Sequence, residues 1–322
     1  MSARVLAISL CVLAASAGAG CGSVSDDAQK TALAAIATPA APATAGPSQK
    51  PVRCRDATAS LRPPRTLPAA GDMPAGSFME RIRRRGRLIA GVDQNTLLFG
   101  YLRPSTGRIQ GFEVDILRQI AKAIFGDPDR IALRALTTAQ RLTAVNSGAV
   151  DVVADAVTIT CARRRQVAFS TVYYDAVQRL LVPATSHVRG MQDLRHRRVC
   201  ATAGSTTLQS IKADPAKPIA YPVEQRTDCL VALQQGKVDA ISSDDAILLG
   251  FRAQDPDTRI VGPPLAPEPY GMAIARGHPD FVRFVNGVLA RMRSDGSWRA
   301  IHRRWLGALT PTPAPPPARY GS

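Results

Sequence analysis

The chain has 322 residues and carries 41 Lys+Arg against 25 Asp+Glu, a formal net charge of +16. With 45% hydrophobic residues it is not disordered throughout, and its length allows about two domains. The basic residues are scattered and aromatics make up only 5%, so the interleaved aromatic and basic side chains of single-strand binders are missing and no nucleic-acid partner is expected.

Met1–Gly20 has one early cation, Arg4, then the apolar stretch Val5–Ala17 and the small residues Gly18-Ala19-Gly20. This is the pattern of a secretory signal peptide. Cys21, directly after the small residues, resembles the acylated cysteine of bacterial lipoproteins, although Gly18 stands where such sites carry Leu. The expected location is therefore outside the cytoplasm, lipid-anchored to the outer face of the cell membrane. Once Cys11 leaves with the signal and Cys21 takes lipid, Cys54, Cys161, Cys200 and Cys229 remain. An even count in an oxidising compartment points to two disulfides, with three possible pairings. Their spacing fits no zinc template, and neither a metal nor a cofactor is expected.

Residues 22–76 hold 26 Ala, Pro or Gly in 55 and no Phe, Tyr or Trp. Such a segment buries too little apolar surface to offset its ordering entropy, so 21–76 reads as a flexible tether. The Pro-rich stretch 308–322 reads as a tail. Between them, strands and helices alternate: strand at Leu88–Asp93, helix at Phe112–Phe125 ended by Gly126, strand at Ile131–Leu136, helix at Thr138–Ser147, strand at Val150–Ile159. Near-continuous apolar strands between helices predict an α/β fold with a mostly parallel sheet covered on both faces.

One internal echo stands out. Leu142–Asp151, with Gly148 and a closing Val-Asp, is repeated at Leu230–Asp239, with Gly236 and the same Val-Asp. A helix–Gly–strand unit used twice implies two similarly built lobes. Ligands of open α/β sheets lie beyond the carboxyl ends of strands, so residues near Ala156–Thr158 and Ser242–Asp244 are expected to face one cleft.

The ordered series Leu88–Asp93, Gly111-Phe-Glu-Val-Asp115, Thr158-Ile-Thr-Cys-Ala-Arg163, Phe169–Tyr174, Gly204-Ser-Thr-Thr, Val238–Asp244, Tyr270-Gly-Met-Ala-Ile and Asp295-Gly-Ser-Trp through Trp305-Leu-Gly307 resembles the polar amino-acid solute-binding proteins, family 3, of glutamine/glutamate type. The tethered, Arg-rich, four-Cys form is most similar to actinobacterial glutamate/glutamine-binding lipoproteins. The resemblance implies a periplasmic-binding-protein type II fold with two Rossmann-like lobes. Lobe 1 would be 77–182 plus 268–307 and lobe 2 187–264, with hinge crossovers near Leu181–Ser186 and Val261–Glu268. In that layout Cys200 and Cys229 share a lobe, and a Cys161–Cys200 bridge would staple the cleft. The implied pairs are therefore Cys200–Cys229 and Cys54–Cys161.

The same resemblance implies the site. A free α-amino acid offers a carboxylate and an ammonium, so its receptor needs both charges in one pocket. Arg163 would clamp the carboxylate with its planar guanidinium, aided by the backbone N–H groups at Ser205 and Thr206 where a helix begins. Asp244 would take the ammonium, with the Thr158 hydroxyl and the Ala156 carbonyl; Asp245 is its competitor. Asp93 falls where relatives contact the ligand side chain, and Thr202 where glutamine-binding relatives carry a basic or imidazole group. Thr96 and Thr138 replace aromatic residues, and Ser243 replaces a basic or imidazole group, so the pocket is expected to be polar. The implied function is reception of Glu, Asp, Asn or Gln by a monomeric binding protein, not an enzyme, that serves an ABC permease or reports to a membrane sensor. A secreted prephenate-type dehydratase of the same fold is the alternative from another class; it needs a general acid or base near neutrality. Arg81, Arg83, Arg84, Arg85 and Arg87 read as a solvated helix face, and Trp298, Ile301 and Trp305 as core of the last helix.

Overall fold

The computed structural model describes residues 54–321, so Cys21 and the signal segment lie outside the described part. Helix α1 (Phe78–Arg85) begins where the Ser77 hydroxyl accepts the Glu80 N–H at 3.1 Å and ends at Gly86. Strand β1 (Leu88–Val92) runs into a small antiparallel sheet of β2 (Asn95–Thr96), β3 (Gly100–Arg103) and β4 (Arg108–Gln110). Gly111 (φ +147°) turns the chain into helix α2 (Phe112–Phe125); a Cβ there would lie 2.1 Å from the Phe99 carbonyl oxygen. Helix α2 buries Phe112, Leu117, Ile120 and Ile124, each contributing about 1.5–3 kcal/mol by removal from water.

The chain continues through β5 (Ile131–Ala135), α3 (Arg141–Asn146), β6 (Val152–Val153), the single turn α4 (Cys161–Arg164) and β7 (Ala168–Phe169). Then come β8 (Tyr174–Pro183), β9 (Arg198–Thr202), α5 (Thr206–Ala213), β10 (Ile219–Val223), α6 (Arg226–Gln234), β11 (Ala240–Asp244), α7 (Asp245–Gln254) and β12 (Thr258–Tyr270). Strand β13 (Ala273–Ile274) and helices α8 (Pro279–Ser294) and α9 (Ser297–Leu306) close the series.

Two five-stranded sheets result, each the centre of a lobe. The first has the order β5-β1-β6-β13-β7, and the second β10-β9-β11-β8-β12. Strands β5, β1 and β6 are parallel, as are β10, β9 and β11, while β13 and β8 run against their neighbours. The α/β class is therefore as the apolar strand pattern predicts.

The internal echo has a physical basis. After α3 and after α6, Gly148 (φ +73°) and Gly236 (φ +65°) turn the chain toward the sheet. The following aspartate then docks on the next strand. The Asp151 carboxylate accepts the Ile89 N–H at 2.7 Å and its own N–H donates to the Ile89 carbonyl at 2.8 Å. Asp239 does the same with Arg198, at 2.8 Å and 2.8 Å. Each carboxylate also meets an arginine, Arg85 or Arg197.

The passage between lobes is a two-strand ladder. Strands β8 and β12 pair antiparallel from Tyr174–Tyr270 to Pro183–Thr258, with an irregularity between Val261 and Ala266. Gln178–Leu181 already pair with β11, so they belong to the second sheet. The crossovers therefore lie at Tyr174–Val177 and Pro267–Tyr270, earlier on the first strand and later on the second than Leu181–Ser186 and Val261–Glu268. Both strands run unbroken through the hinge, so their hydropathy does not mark where one sheet hands over to the other.

Residues 54–76 are not free tether. Cys54 is bonded to Cys161, and Met73 is buried with Leu61 and Leu67 against the core of the first lobe. Nor does the C-terminal stretch hang loose. Pro316 is buried, and Ser60 pairs with Tyr320 in a parallel bridge that joins both ends of the described chain. Composition alone underrated these segments because a few apolar side chains and a disulfide suffice to order a strap laid on an existing surface. The second disulfide, Cys200–Cys229, ties β9 to α6 within the second lobe.

Candidate ligand-binding cleft

The cleft is built first from lobe 1. After β6 the chain makes a tight turn in which Ala156 adopts φ +46°. The turn is held from two sides. The buried Glu113 carboxylate of α2 accepts the Ala156 N–H at 2.7 Å, while Arg141 of α3 donates to the carbonyls of Asp155 (2.6 Å), Ala156 (3.0 Å) and Thr138 (2.9 Å). Burial, and then the nearby Asp155, push the Glu113 carboxyl up to about 7. Thr160 caps α4 by accepting the Arg163 N–H at 3.1 Å, and the Arg163 guanidinium turns inward to donate to the Thr158 carbonyl at 2.9 Å.

Lobe 2 supplies the opposite wall. Ser205 caps α5 by accepting the Leu208 N–H at 3.0 Å, and its hydroxyl also lies 2.9 Å from that of Thr207. Thr206 donates to Glu268 at 2.8 Å. At the end of β11, Asp244 accepts the Tyr270 hydroxyl at 2.5 Å through one oxygen. Its other oxygen, Oδ1, is buried and has no partner among the described residues. Burial, then the Glu268 carboxylate beside it, push the Asp244 carboxyl up to about 7. Asp245 is used differently: its carboxylate accepts the N–H groups of Val177 and Ala246, at 3.2 Å and 2.8 Å, at the start of α7.

The two walls meet. Arg163 reaches across to the Gly204 carbonyl at 3.1 Å, the Thr158 and Thr206 hydroxyls lie 3.4 Å apart, and Asn95 donates to Gln225 at 2.9 Å. The strongest contact is Arg226, at the first turn of α6, which enters lobe 1 between two carboxylates. It donates to Asp93, to Asp155 at 2.6 Å and to Thr96 at 3.1 Å, and all four side chains are buried. Burial alone works against the Arg226 charge, but Asp155 and Asp93 outweigh it and raise its pKa. Burial also works against the Asp93 charge, yet Arg226 and the Thr96 hydroxyl hold that carboxyl below the usual range. Asp155 goes the other way, raised by burial, and its Oδ2 has no partner among the described residues.

Between the walls lies a cavity of about 20 Å³, lined by Thr138, Arg141, Ala156, Thr158, Thr202, Ser205, Thr206, Thr207, Arg226, Ser243, Asp244 and Ile247. That is room for about one water, so the lobes are closed on each other. Of the residues expected from sequence, Ala156, Thr158, Thr202, Ser205, Thr206 and Asp244 come together on this lining. Arg163 and Asp93 do not line it; one spans the lobes to a carbonyl and the other is engaged by Arg226. Among the described residues no cluster of His, Cys, Asp or Glu could hold a metal ion.

Sequence reasoning missed Arg141, Arg226 and Asp155. The internal echo held a signal for one of them. Carried four residues upstream, the match of Leu142 with Leu230 pairs Thr138 with Arg226, and both line the cavity.

Two α/β lobes on a double-strand hinge, closing charged and hydroxyl-bearing walls over a polar cavity, define a type II periplasmic binding protein. Comparison with known proteins agrees. Residues 88–308 match the model of the bacterial extracellular solute-binding proteins, family 3, and the chain belongs to that family. It is 34% identical to the ABC transporter glutamine-binding protein GlnH of Bacillus subtilis, over 70% of this chain and 83% of that one. It is 28% identical to the glutamate-binding protein GluB of Corynebacterium glutamicum, over 75% and 86%. Among solved structures, the solute receptor for L-cysteine of Neisseria gonorrhoeae superposes with a TM-score of 0.68 at 26% identity, covering 72% of this chain and 97% of that one. An ancestral arginine-binding protein bound to glutamine gives 0.65 at 29% identity, covering 69% and 99%. The family and these relatives are solute-binding receptors.

Proposed function

We propose that this protein is an extracytoplasmic, lipid-anchored receptor that takes a polar or acidic amino acid (Glu, Asp, Asn or Gln) between its lobes and delivers it to an ABC importer. The observation that carries this reading is the unpartnered, buried Oδ1 of Asp244, set in a cavity that also holds Arg141 and Arg226. A buried carboxylate oxygen without a donor is costly, and an α-ammonium supplies both the donor and the charge. The carboxylate goes to Arg163, whose bond to Gly204 breaks as the lobes part, and to the N–H groups at the start of α5. Burial, then the Arg141 guanidinium, lower the Arg163 pKa to about 9, so it remains a cation at neutral pH.

The ligand side chain lies toward the Arg226 cation and the hydroxyls of Thr138, Thr202 and Ser243; the cation fits an amide or carboxylate oxygen and disfavours a basic side chain. Asp93 orients Arg226 rather than touching the ligand. Closure then follows from differential contact, because only the closed state engages the ligand from both lobes. The experiment is a thermal-shift screen of the full-length protein with the twenty amino acids and prephenate. A rise in Tm with one or more of the four named amino acids, none with Lys or Arg, and no turnover of prephenate support the proposal. A response to Lys or Arg alone, or conversion of prephenate, rejects it.

A further inference from the structure

Three positions of α4 tie the cleft to the surface strap of lobe 1. Cys161 is disulfide-bonded to Cys54. Arg163 points into the cleft, to the carbonyls of Thr158 and Gly204. Arg164 points out, and its guanidinium donates to the carbonyls of Ala57 (2.9 Å) and Ala59. The strap that receives these contacts is itself fixed. Asp56 accepts the Thr58 N–H and hydroxyl at 2.9 Å and 2.8 Å, which sets its path after Cys54. The Ser60 hydroxyl donates to the Phe169 carbonyl at 2.6 Å and accepts from Asn286 at 2.8 Å, and Asn286 also donates to the Leu61 carbonyl at 2.7 Å. The C-terminal stretch completes the anchorage: the Ser60 N–H donates to Arg319 and the Gly321 N–H to Ser60, each at 2.9 Å.

Helix α4 has four residues. A single turn of helix does not hold its own position, because fixing its dihedrals costs more than its few hydrogen bonds return. What it is tied to decides where it sits. Outside the cleft those ties are the Cys54–Cys161 bond, the two carbonyls of the strap and, at the C-cap, Arg276 donating to the Arg165 carbonyl at 3.0 Å. Two-point recognition of a carboxylate by a guanidinium is demanding in geometry, so a small shift of α4 is felt first at Arg163.

We infer that strap residues 54–61, acting through Cys161 and Arg164, are a positioning element for Arg163, so that the segment leading in from the N-terminus forms part of the ligand-binding machinery. This rests on the receptor reading proposed above. Neither Cys54 nor Arg164 touches the ligand; both act through α4.

The test uses the full-length protein as wild type, Arg164→Ala, Arg164→Lys and the pair Cys54→Ser/Cys161→Ser, each also carrying Arg163→Ala. Two probes are titrated by competition: glutamate, and isoglutamine, which has a carboxamide in place of the α-carboxylate. Arg164→Ala and the double serine variant are expected to weaken glutamate about tenfold while leaving isoglutamine within about twofold, Arg164→Lys to recover part of the loss, and both effects to vanish once Arg163 is Ala. Equal weakening of the two probes, or effects that persist without Arg163, would mean a merely structural strap and overturn the inference. Failure of the wild type to bind either probe or any of Asp, Asn and Gln is a failure of the receptor reading, whereas failure with the two probes alone leaves that reading standing. The strap is then judged by ligand-free hydrogen exchange at the amides of Arg163–Val167: faster exchange in the variants upholds the positioning role, and unchanged exchange rejects it.

Discussion

Asp244 and Arg226 bear opposite burdens, and each gives a testable consequence. The Asp244 carboxyl, ordinarily near 4, ionises at about 7 in the fold because it is buried and lies beside Glu268. Between those values the native chain holds a proton that the unfolded chain has released. Its contribution to ligand-free stability is therefore greatest on the acid side and declines as pH rises from about 4 to about 7. Ligand binding runs the other way, since the ammonium needs the ionised carboxylate. Affinity is expected to fall about tenfold per pH unit below 7, and Asp244→Asn to flatten that profile at low affinity; calorimetry between pH 5.5 and 8 reads both. A flat wild-type profile would show that Asp244 does not hold the ammonium.

Arg226 is the residue the sequence could not display. Its partners Asp93 and Asp155 lie 133 and 71 positions away, and only closure of the lobes brings them together. Removing one partner of a buried ion pair costs about 3–5 kcal/mol, here charged to the closed state. Arg226→Ala is thus expected to open the ligand-free protein, read as a longer distance between spin labels on the two lobes; an unchanged distance would deny Arg226 that role. Asp244, Thr158 and Ala156 were legible because they follow strand ends within a motif. Arg226 was not, because a helix-start arginine looks like solvated surface until its partner lobe is in place.

Elements were legible where the signal was long and local. Helix α2 runs Phe112–Phe125 as its apolar spacing and Gly126 predict. The apolar run Val150–Ile159 yields only the two-residue strand β6, because Glu113 and Arg141 capture the chain at Ala156 and bend it into the cleft. No periodicity reports a bend imposed by side chains from other helices. At the opposite wall, Gly204 (φ +77°) precedes α5, and a Cβ there would approach Ala139 of lobe 1 to 3.0 Å. Gly204→Ala is therefore both strained and in the way of closure. Calorimetry is expected to show it weakening ligand binding about tenfold or more, with the fold retained by circular dichroism; unaltered affinity would place closure elsewhere. The Cys200–Cys229 loop, with a separation of 29, is expected to contribute roughly 3–4 kcal/mol. Cys200→Ser/Cys229→Ser should lower the urea midpoint accordingly, and an unchanged midpoint would contradict that.

At the scale of the whole molecule, the two lobes are two uses of one unit, joined by β8 and β12 and closed by contacts that cross between charged walls. The double-strand hinge permits rotation, and the cavity of about 20 Å³ shows how far closure goes. Lobe 1 alone is strapped by both ends of the described chain. The lobes themselves were legible from the echo of Leu142–Asp151 at Leu230–Asp239. The strap was not, because its order comes from the surface it lies on.

The most direct measurement of the central claim, that opposed charges from the two lobes hold a polar amino acid, is calorimetric titration of the full-length protein with Glu, Gln, Asp and Asn, repeated with Arg163→Ala and Asp244→Asn. Micromolar or tighter binding of at least one of the four is expected, weakened at least a hundredfold by either substitution. Binding that survives both substitutions, or no binding of any of the four, would contradict it.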